Sequence, residues 1–190
     1  MAQVSSSPGL IICEQSEGYA NRQPDDSVVA YWDDLGCVWT CGFGSTGSTV
    51  TAATRWSRQQ AVGALLMGWN MARSGVLRAS PRLADPANAN RLDAITDFAY
   101  NEGVGRYQAS TLRTMINAGN WAAAALEFPK WNLAGAKVQT GLVTRRRLEQ
   151  ALFLTPVQPS GPVIPTPAPS EASQPSFGTL LLAFFRGLFS

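Results

Sequence analysis

The chain contains no histidine. That absence excludes the Ser-His-Asp and Cys-His nucleophilic mechanisms and the usual histidine-containing zinc hydrolase sites. Cysteine is scarce: Cys13, Cys37 and Cys41 are too few for an all-cysteine zinc site. An odd, small number also does not describe a disulfide framework, so buried or half-buried thiols are expected, with a Cys37–Cys41 bridge across a tight hairpin as the lesser alternative. Neither a metal nor a cofactor is called for. Charge is sparse as well, 15% of residues with a formal net charge of +2, which gives no electrostatic argument for nucleic acid but does not oppose an anionic polymer. The first residues, MAQVSSSPGLIICEQSEG, lack a basic n-region, and the apolar run Leu10 to Cys13 is too short for a signal h-region, so no N-terminal export signal is expected.

Apolar residues make up 45% of the 190, enough for a sizeable core in one domain with a tail. Ser7-Pro8 reads as an N-cap followed by proline at the first helical position, and Gly18 as the residue that ends that helix after Ser16 or Glu17. Residues 19–27 are polar and read as a loop. "SVVAYW" and "CVWTCGF", with "DDLG" between them, read as a hairpin or small three-stranded sheet. From Ser57 the period changes: Ser57 and Gln60 form a capping-box pattern, and apolar residues at Ala61, Leu65, Leu66, Trp69 and Val76 define a long helix. Further helices fit 86–101, 109–118, 120–127 and 140–153, with glycines and Pro129 between them. The fold class is α+β.

Glu17 is placed at the carboxyl end of the first helix, where the dipole is negative. That position favours the protonated acid, which is unhelpful for stability but useful to a general acid. Paired with an ionised carboxylate across a cleft, such a group carries out glycoside hydrolysis without an imidazole. A lone Glu-Gly pair is also an ordinary solvated helix end. In the downstream half, "TRRRLE" at 144–149 reads as a solvated helix face with Arg145–Glu149 support, or as a surface that attracts an anionic polymer. Trp39, Trp69, Trp121 and Trp131 read as core residues rather than sugar platforms.

The run "GLIICEQSEGY", then "AYWDDLGCVWTCGFGSTG", then "DAITDFAYNEGVGRYQASTLRTMINAGNW" and "EFPKWNLAGAKVQTGLVTRRRLEQALF" resembles the phage-type lysozymes, glycoside hydrolase family 24, over residues 7–154. The resemblance implies a lysozyme-like fold, with a small N-terminal β-hairpin or sheet lobe and a helical C-terminal lobe joined by the long helix from about Ser57, and a cleft between the lobes. It implies a muramidase that cuts the β-1,4 bond between N-acetylmuramic acid and N-acetylglucosamine in peptidoglycan and lyses the bacterial host. By motif match, Glu17 is the general acid, Asp33 the catalytic aspartate and Thr40 the threonine that helps place the water. The family inverts, so the two carboxyls are expected ~6.5–9.5 Å apart. Tyr100, Asn101 and Thr111 match residues bordering the sugar cleft, although Tyr100 suits core packing and Asn101 a helix-end cap equally well.

The chain departs from the family in two places. Glu17 and Asp33 have fifteen residues between them where the common pattern has about eight, the extra ones falling around "NRQPDDS". Asp26 keeps the short spacing without the Tyr-x-Asp context, and Asp34 lies one residue closer to Thr40, so both stand as alternatives to Asp33. Ser45 occupies the position of the histidine that most relatives carry. Without an N-terminal signal the chain is expected to gather in the cytoplasm of an infected cell and to act as a monomer, and the resemblance implies release through a holin to the wall in the periplasm. The rivals are a lytic transglycosylase, which needs the glutamate but not the aspartate, and a membrane-active or wall-binding protein with a decayed site.

After Leu154 the composition changes. Residues 155–176 are proline- and serine-rich and read as an extended linker. Residues 177–190, FGTLLLAFFRGLFS, hold nine Ala, Leu or Phe residues and one cation, Arg186. As a helix they would reach ~21 Å, short of a ~30 Å bilayer core, so this segment suits contact with membrane lipid at the interface rather than a span. Packing back on the body or oligomerisation is the alternative.

Overall fold

The structure is a computed structural model that describes residues 7–34 and 36–157. Helix α1 spans Pro8–Glu17: the Ser7 hydroxyl accepts from the Leu10 N–H at 3.4 Å, and Gly18 ends the helix at φ 71°, its N–H bonding to the Glu14 carbonyl. Glycine meets that positive φ without a Cβ penalty. The polar segment that follows is a loop held by short polar contacts, one of them to Arg55 outside it. Asp25 accepts from the Ser27 N–H and hydroxyl and from Arg55, Arg22 pairs with Asp26, and the Tyr19 hydroxyl donates to the Asp26 carbonyl.

Two antiparallel pairs come next. β1 (Val28–Val29) pairs with β4 (Arg55–Trp56), and β2 (Tyr31–Asp33) pairs with β3 (Val38–Thr40). Of the two alternatives the hairpin is the one that forms, as β2–β3, and β1–β4 is a separate two-stranded ribbon rather than a third strand of the same sheet. Helix α2, Arg58–Ala79, starts at the predicted box: the Ser57 hydroxyl accepts from the Gln60 N–H at 3.3 Å, and the Gln60 side chain accepts from the Ser57 N–H at 2.8 Å. After two 3₁₀ turns at Pro81–Ala84 and Pro86–Asn88 come α3 (Ala89–Glu102), α4 (Val104–Gln108), α5 (Thr111–Asn117) and α6 (Trp121–Ala125). A 3₁₀ turn at Phe128–Lys130, a ribbon of β5 (Leu133–Ala134) and β6 (Lys137–Val138), and α7 (Thr140–Leu154) complete the described chain. The 86–101 helix begins later than its spacing suggests because Pro86 opens a 3₁₀ turn. The short helix α4 and the β5–β6 ribbon were not expected.

Two apolar cores form. Leu10, Cys13, Val28, Ala30, Cys41, Phe43, Val50, Ala61, Leu65 and Trp69 make the first. Val76, Leu83, Ile95, Phe98, Tyr107, Leu112, Ile116, Phe128 and Phe153 are among those in the second, where Phe98 meets Tyr107, Phe128 and Trp131 edge-on. Each fully buried Leu or Phe contributes ~1.5–3 kcal/mol. Helix α2 serves both cores, the first through Ala61, Leu65 and Trp69 and the second through Val76. Trp69 is buried, and Trp39, Trp121 and Trp131 pack at the edges of the cores. The three thiols are free. Cys13 and Cys41 are buried, whereas Cys37, at positive φ in the β2–β3 turn, is exposed. The linker 155–176 beyond Val157 and the apolar segment 177–190 lie outside the described residues.

Candidate active site

Antiparallel pairing places Tyr31 opposite Thr40 and Asp33 opposite Val38. Side chains alternate along a strand and match across a pair, so Tyr31, Asp33, Val38 and Thr40 share one face, with Trp32 and Trp39 on the other. Thr40 is buried and its hydroxyl lies 3.5 Å from the Val38 carbonyl. The Asp33 carboxylate leans over the turn: its Oδ2 is 2.9 Å from where a Cβ would stand on Gly36.

The Trp-Thr-x-Gly-x-Gly run then turns back on itself. The Cys41 N–H bonds to the Ser45 carbonyl at 2.9 Å and the Ser45 N–H to the Cys41 carbonyl at 3.0 Å. This turn brings Gly44, at φ 80°, against the end of α1, where a Cβ would lie 3.1 Å from Glu17 Oε2. A side chain at position 44 would crowd that oxygen. Ser45 contributes backbone to the turn.

Glu17 is the last residue of α1, with 20% of its side chain exposed. Its Oε1 accepts from Arg145 Nη1 of α7 at 2.7 Å, and a cation there offsets the unfavourable helix end. The phenol of Tyr31 is raised above its ordinary pKa by burial first, then by the negative charges of Asp33 and Glu17. One ring on the hairpin face therefore feels both carboxylates. Tyr100, half-buried beside the first core with its ring edge against Gly68, is likewise raised, by burial first and then by Cys13 and Glu17.

The competing aspartates have other surroundings. Asp26 sits at φ 63° in the 19–27 loop with its carboxylate 2.7 Å from Arg22 Nε. Asp34 is exposed beyond the end of β2, and its carbonyl accepts from the Cys37 thiol. Asn101 and Thr111 are exposed and line a groove of about 900 Å³ together with Glu102, Arg106, Trp131 and Leu133. The groove walls come from residues 101–142, and Glu17, Asp33, Thr40 and Tyr100 are not among them. Asn101 Oδ1 accepts from Arg146 at 2.9 Å, so this side chain braces α7 rather than capping its own helix.

The solvated-face reading of "TRRRLE" is overturned for two of its arginines. Arg145 is 4% exposed, and Arg146 and Glu149 are buried; Arg147 alone of the three arginines faces solvent. Arg145 grips Asp97 with two bonds, Nε to Oδ2 at 3.0 Å and Nη2 to Oδ1 at 2.7 Å, the forked geometry that suits guanidinium and carboxylate. Burial pulls its pKa down, but Asp97 and Glu17 more than reverse this, holding it above an ordinary arginine. The expected Arg145–Glu149 contact is present at 3.7 Å, in the interior. Cys13 lies 3.8 Å from Arg145, its thiol pushed up by burial first and then by Asp97. One sequence signal pointed here. Asp93 and Asp97 fall four apart on the apolar face of α3, and each buried carboxylate needs a cation: Arg73 serves Asp93 at 3.0 Å and Arg145 serves Asp97. Among the described residues there is no cluster of three or more His, Cys, Asp or Glu side chains that could hold a metal.

The sequence profile of the phage lysozyme family matches residues 17–149. The endolysin of Bacillus phage PZA is 41% identical over 115 residues, which is 60% of this chain and 43% of that protein. The chain therefore spans less than half the length of this relative. The endolysin of Salmonella phage P22 is 30% identical over 159 residues, 82% of this chain and 100% of that one. Among solved structures, the endolysin from Escherichia coli O157:H7 phage FAHEc1 superposes with a TM-score of 0.64 at 27% identity, covering 78% of this chain and 92% of that one, so the α+β fold is lysozyme-like. A match that opens on the helix-end glutamate and closes in the helix that supplies its arginine makes this chain a member of the phage lysozyme family.

Proposed function

We propose that this chain is a phage endolysin that hydrolyses the β-1,4 bond between N-acetylmuramic acid and N-acetylglucosamine in peptidoglycan. The observation that carries the reading is geometric: the turn after Thr40 brings Gly44 against Glu17 Oε2, at the end of a hairpin whose one face holds Tyr31, Asp33 and Thr40. Arg145 occupies Glu17 Oε1, which leaves Oε2, the oxygen beside Gly44, to hold the proton that passes to the leaving glycosidic oxygen. Asp33 and Thr40 hold the attacking water, the carboxylate accepting its proton as the C–O bond forms with inversion. Tyr100, Asn101 and Thr111 contact the glycan. Ser45 contributes backbone to the turn at Gly44 and takes no proton.

Digestion of purified peptidoglycan, followed by mass analysis of the fragments, tests this reading. Reducing muramic ends are expected, and they should vanish with Glu17→Gln. Fragments ending in 1,6-anhydro-muramic acid would assign a lytic transglycosylase instead. Absence of any cleavage would leave a wall-binding protein.

A second reading concerns residues 177–190, favoured by their nine apolar residues and single Arg186. Residues 1–154 would form the catalytic domain, 155–176 the linker, and 177–190 a segment that contacts membrane lipid. The enzyme would gather in the host cytoplasm, reach the wall with the help of a holin, and act as a monomer. Full-length protein and a chain ending near Pro156 should digest peptidoglycan equally, whereas only the full-length form should bind or leak anionic liposomes. Equal behaviour toward liposomes would remove the lipid role.

A further inference from the structure

Where α7 packs on α3 and α1, two guanidinium groups meet four carboxyls: Arg145 and Arg146 against Glu17, Asp97, Glu102 and Glu149. Arg145 is committed to Asp97 and Glu17. Arg146 Nη2 donates to Glu149 Oε1 at 2.6 Å and to Asn101, and its Nη1 to Glu102 at 3.3 Å. Glu149 Oε2 is left over. It is sealed from solvent and receives no hydrogen bond. The carboxyl that faces Glu149 is that of Asp97, also fully buried: the two share one nitrogen, Arg145 Nε lying 3.7 Å from Glu149 Oε1 and 3.0 Å from Asp97 Oδ2.

Two full negative charges side by side with a bare oxygen are costly in a low-dielectric interior. A proton on one carboxyl removes the repulsion and gives the bare oxygen a role as donor. Asp97 can accept, because each of its oxygens takes one bond from Arg145 and has a second lone pair. We propose that Glu149 holds a proton that it donates to Asp97, and that Glu149 is thereby a positioning residue: it fixes Asp97, Asp97 fixes Arg145, and Arg145 fixes the carboxyl of Glu17. Burial, followed by the charge of Asp97, pushes the Glu149 carboxyl well above the usual range, against the opposing pull of Arg146 and Arg145.

The charged groups that face the pair come from three helices. α3 supplies Asp97 itself and, through Arg146, Glu102. α7 supplies Arg145 and Arg146, and α1 supplies Glu17 and the Cys13 thiol through Arg145. α6 carries no charged residue, and the 3₁₀ turn Phe128–Lys130 offers only Lys130, which is paired with Glu127.

Three measurements on the full chain test the proposal. The infrared difference spectrum at pH 7, wild type minus Glu149→Gln, should show the carbonyl stretch of one protonated carboxylic acid, whatever the state of Glu17. Thermal unfolding gives the second. A carboxyl whose folded pKa is raised takes up a proton on folding, so its contribution to stability falls as pH rises from the unfolded value of ~4.3 toward the raised one. Glu149→Gln should flatten that slope of Tm against pH. The third is kinetic and rests on the muramidase reading. An amide N–H can still donate to Asp97, so Glu149→Gln should lose less than about threefold in kcat and Glu149→Ala at least about tenfold, with KM held. An unchanged infrared band with an unchanged slope would overturn the buried proton. Equal damage in Glu149→Gln and Glu149→Ala would overturn the positioning role. The first two measurements need no substrate and no Ala variant, so they stand apart from the muramidase reading and from any failure of Glu149→Ala to fold.

Discussion

Carboxylates meet arginines in two very different regions of this molecule. In the loop of residues 19–27, Arg22 pairs with Asp26 and Arg55 with Asp25, all four side chains 41–62% exposed. Between α1, α3 and α7, Arg145 and Arg146 meet Glu17, Asp97, Glu102 and Glu149 in the interior. The bonds are about equally short, at 2.7–2.8 Å in the loop and 2.6–3.3 Å for the hydrogen-bonded pairs inside. Solvent makes the difference. Exposed pairs contribute ~0–1 kcal/mol, whereas removing one partner from a buried pair strands the other charge and costs several. The loop pairs shape a surface, while the interior pairs determine where the Glu17 carboxyl can sit. Glu17 stands at the boundary, with one oxygen in the interior network and the other toward Gly44.

The boundary residue gives the largest expected effect. Glu17→Gln should lower peptidoglycan clearance by ~10²–10⁴-fold, read by turbidity. The helix-end argument alone predicts a more stable variant. Losing the Arg145 contact offsets that gain, but Arg145 keeps both bonds to Asp97 and its charge is not stranded, so stability in a denaturant series should stay within about 1 kcal/mol of wild type. Asp33→Asn should follow in activity lost, with Asp34→Asn and Asp26→Asn near wild type, because those two lie on the exposed and loop sides of the comparison. Equal, full activity in all three would break the hairpin assignment and point to a transglycosylase.

Stability separates the regions directly. Arg145→Met leaves Asp97 buried without its cation and should cost ~3–5 kcal/mol by chemical denaturation. Arg55→Ala, at the surface, should cost at most ~1 kcal/mol. Similar losses would mean that the interior is wetter than the packing implies. The smallest effect is a titration. Asp25 is held down to about 2 by the Ser27 hydroxyl first, then by Arg55 and the Ser27 N–H. Any stability it contributes is present above the ordinary aspartate range and is lost as pH falls from ~3.9 toward about 2. Carboxyl-carbon NMR should follow this, and Ser27→Ala should raise the value more than Arg55→Ala.

The same contrast explains what could be read in the sequence. Helix starts at Ser7 and Ser57 were legible because a cap is decided within four residues, and the hairpin because its face follows from alternation. Helix α4 was hidden because Gly103 and Gly105 both read as breaks, although only Gly103, at φ 89°, leaves the helical path. The arginine cluster was hidden for a different reason. Three arginines in a row look solvated, and the partners that bury two of them come from helices 44 to 128 residues away. The candidate acid was visible, but the network behind it depends on tertiary packing.

Helix α2 has a consequence for how the molecule comes apart. Ala61, Leu65 and Trp69 belong to one core and Val76 to the other, along a single unbroken run of 22 residues. Neither core can open fully without releasing its end of the helix that the other needs. Amide hydrogens in the middle of α2 should therefore exchange only through global unfolding, and protection there should report the stability of the described body as a whole. A chain whose cores melted separately would show two transitions, with α2 fraying from one end in the first. A single transition would mean that the rod between the lobes makes them one cooperative unit.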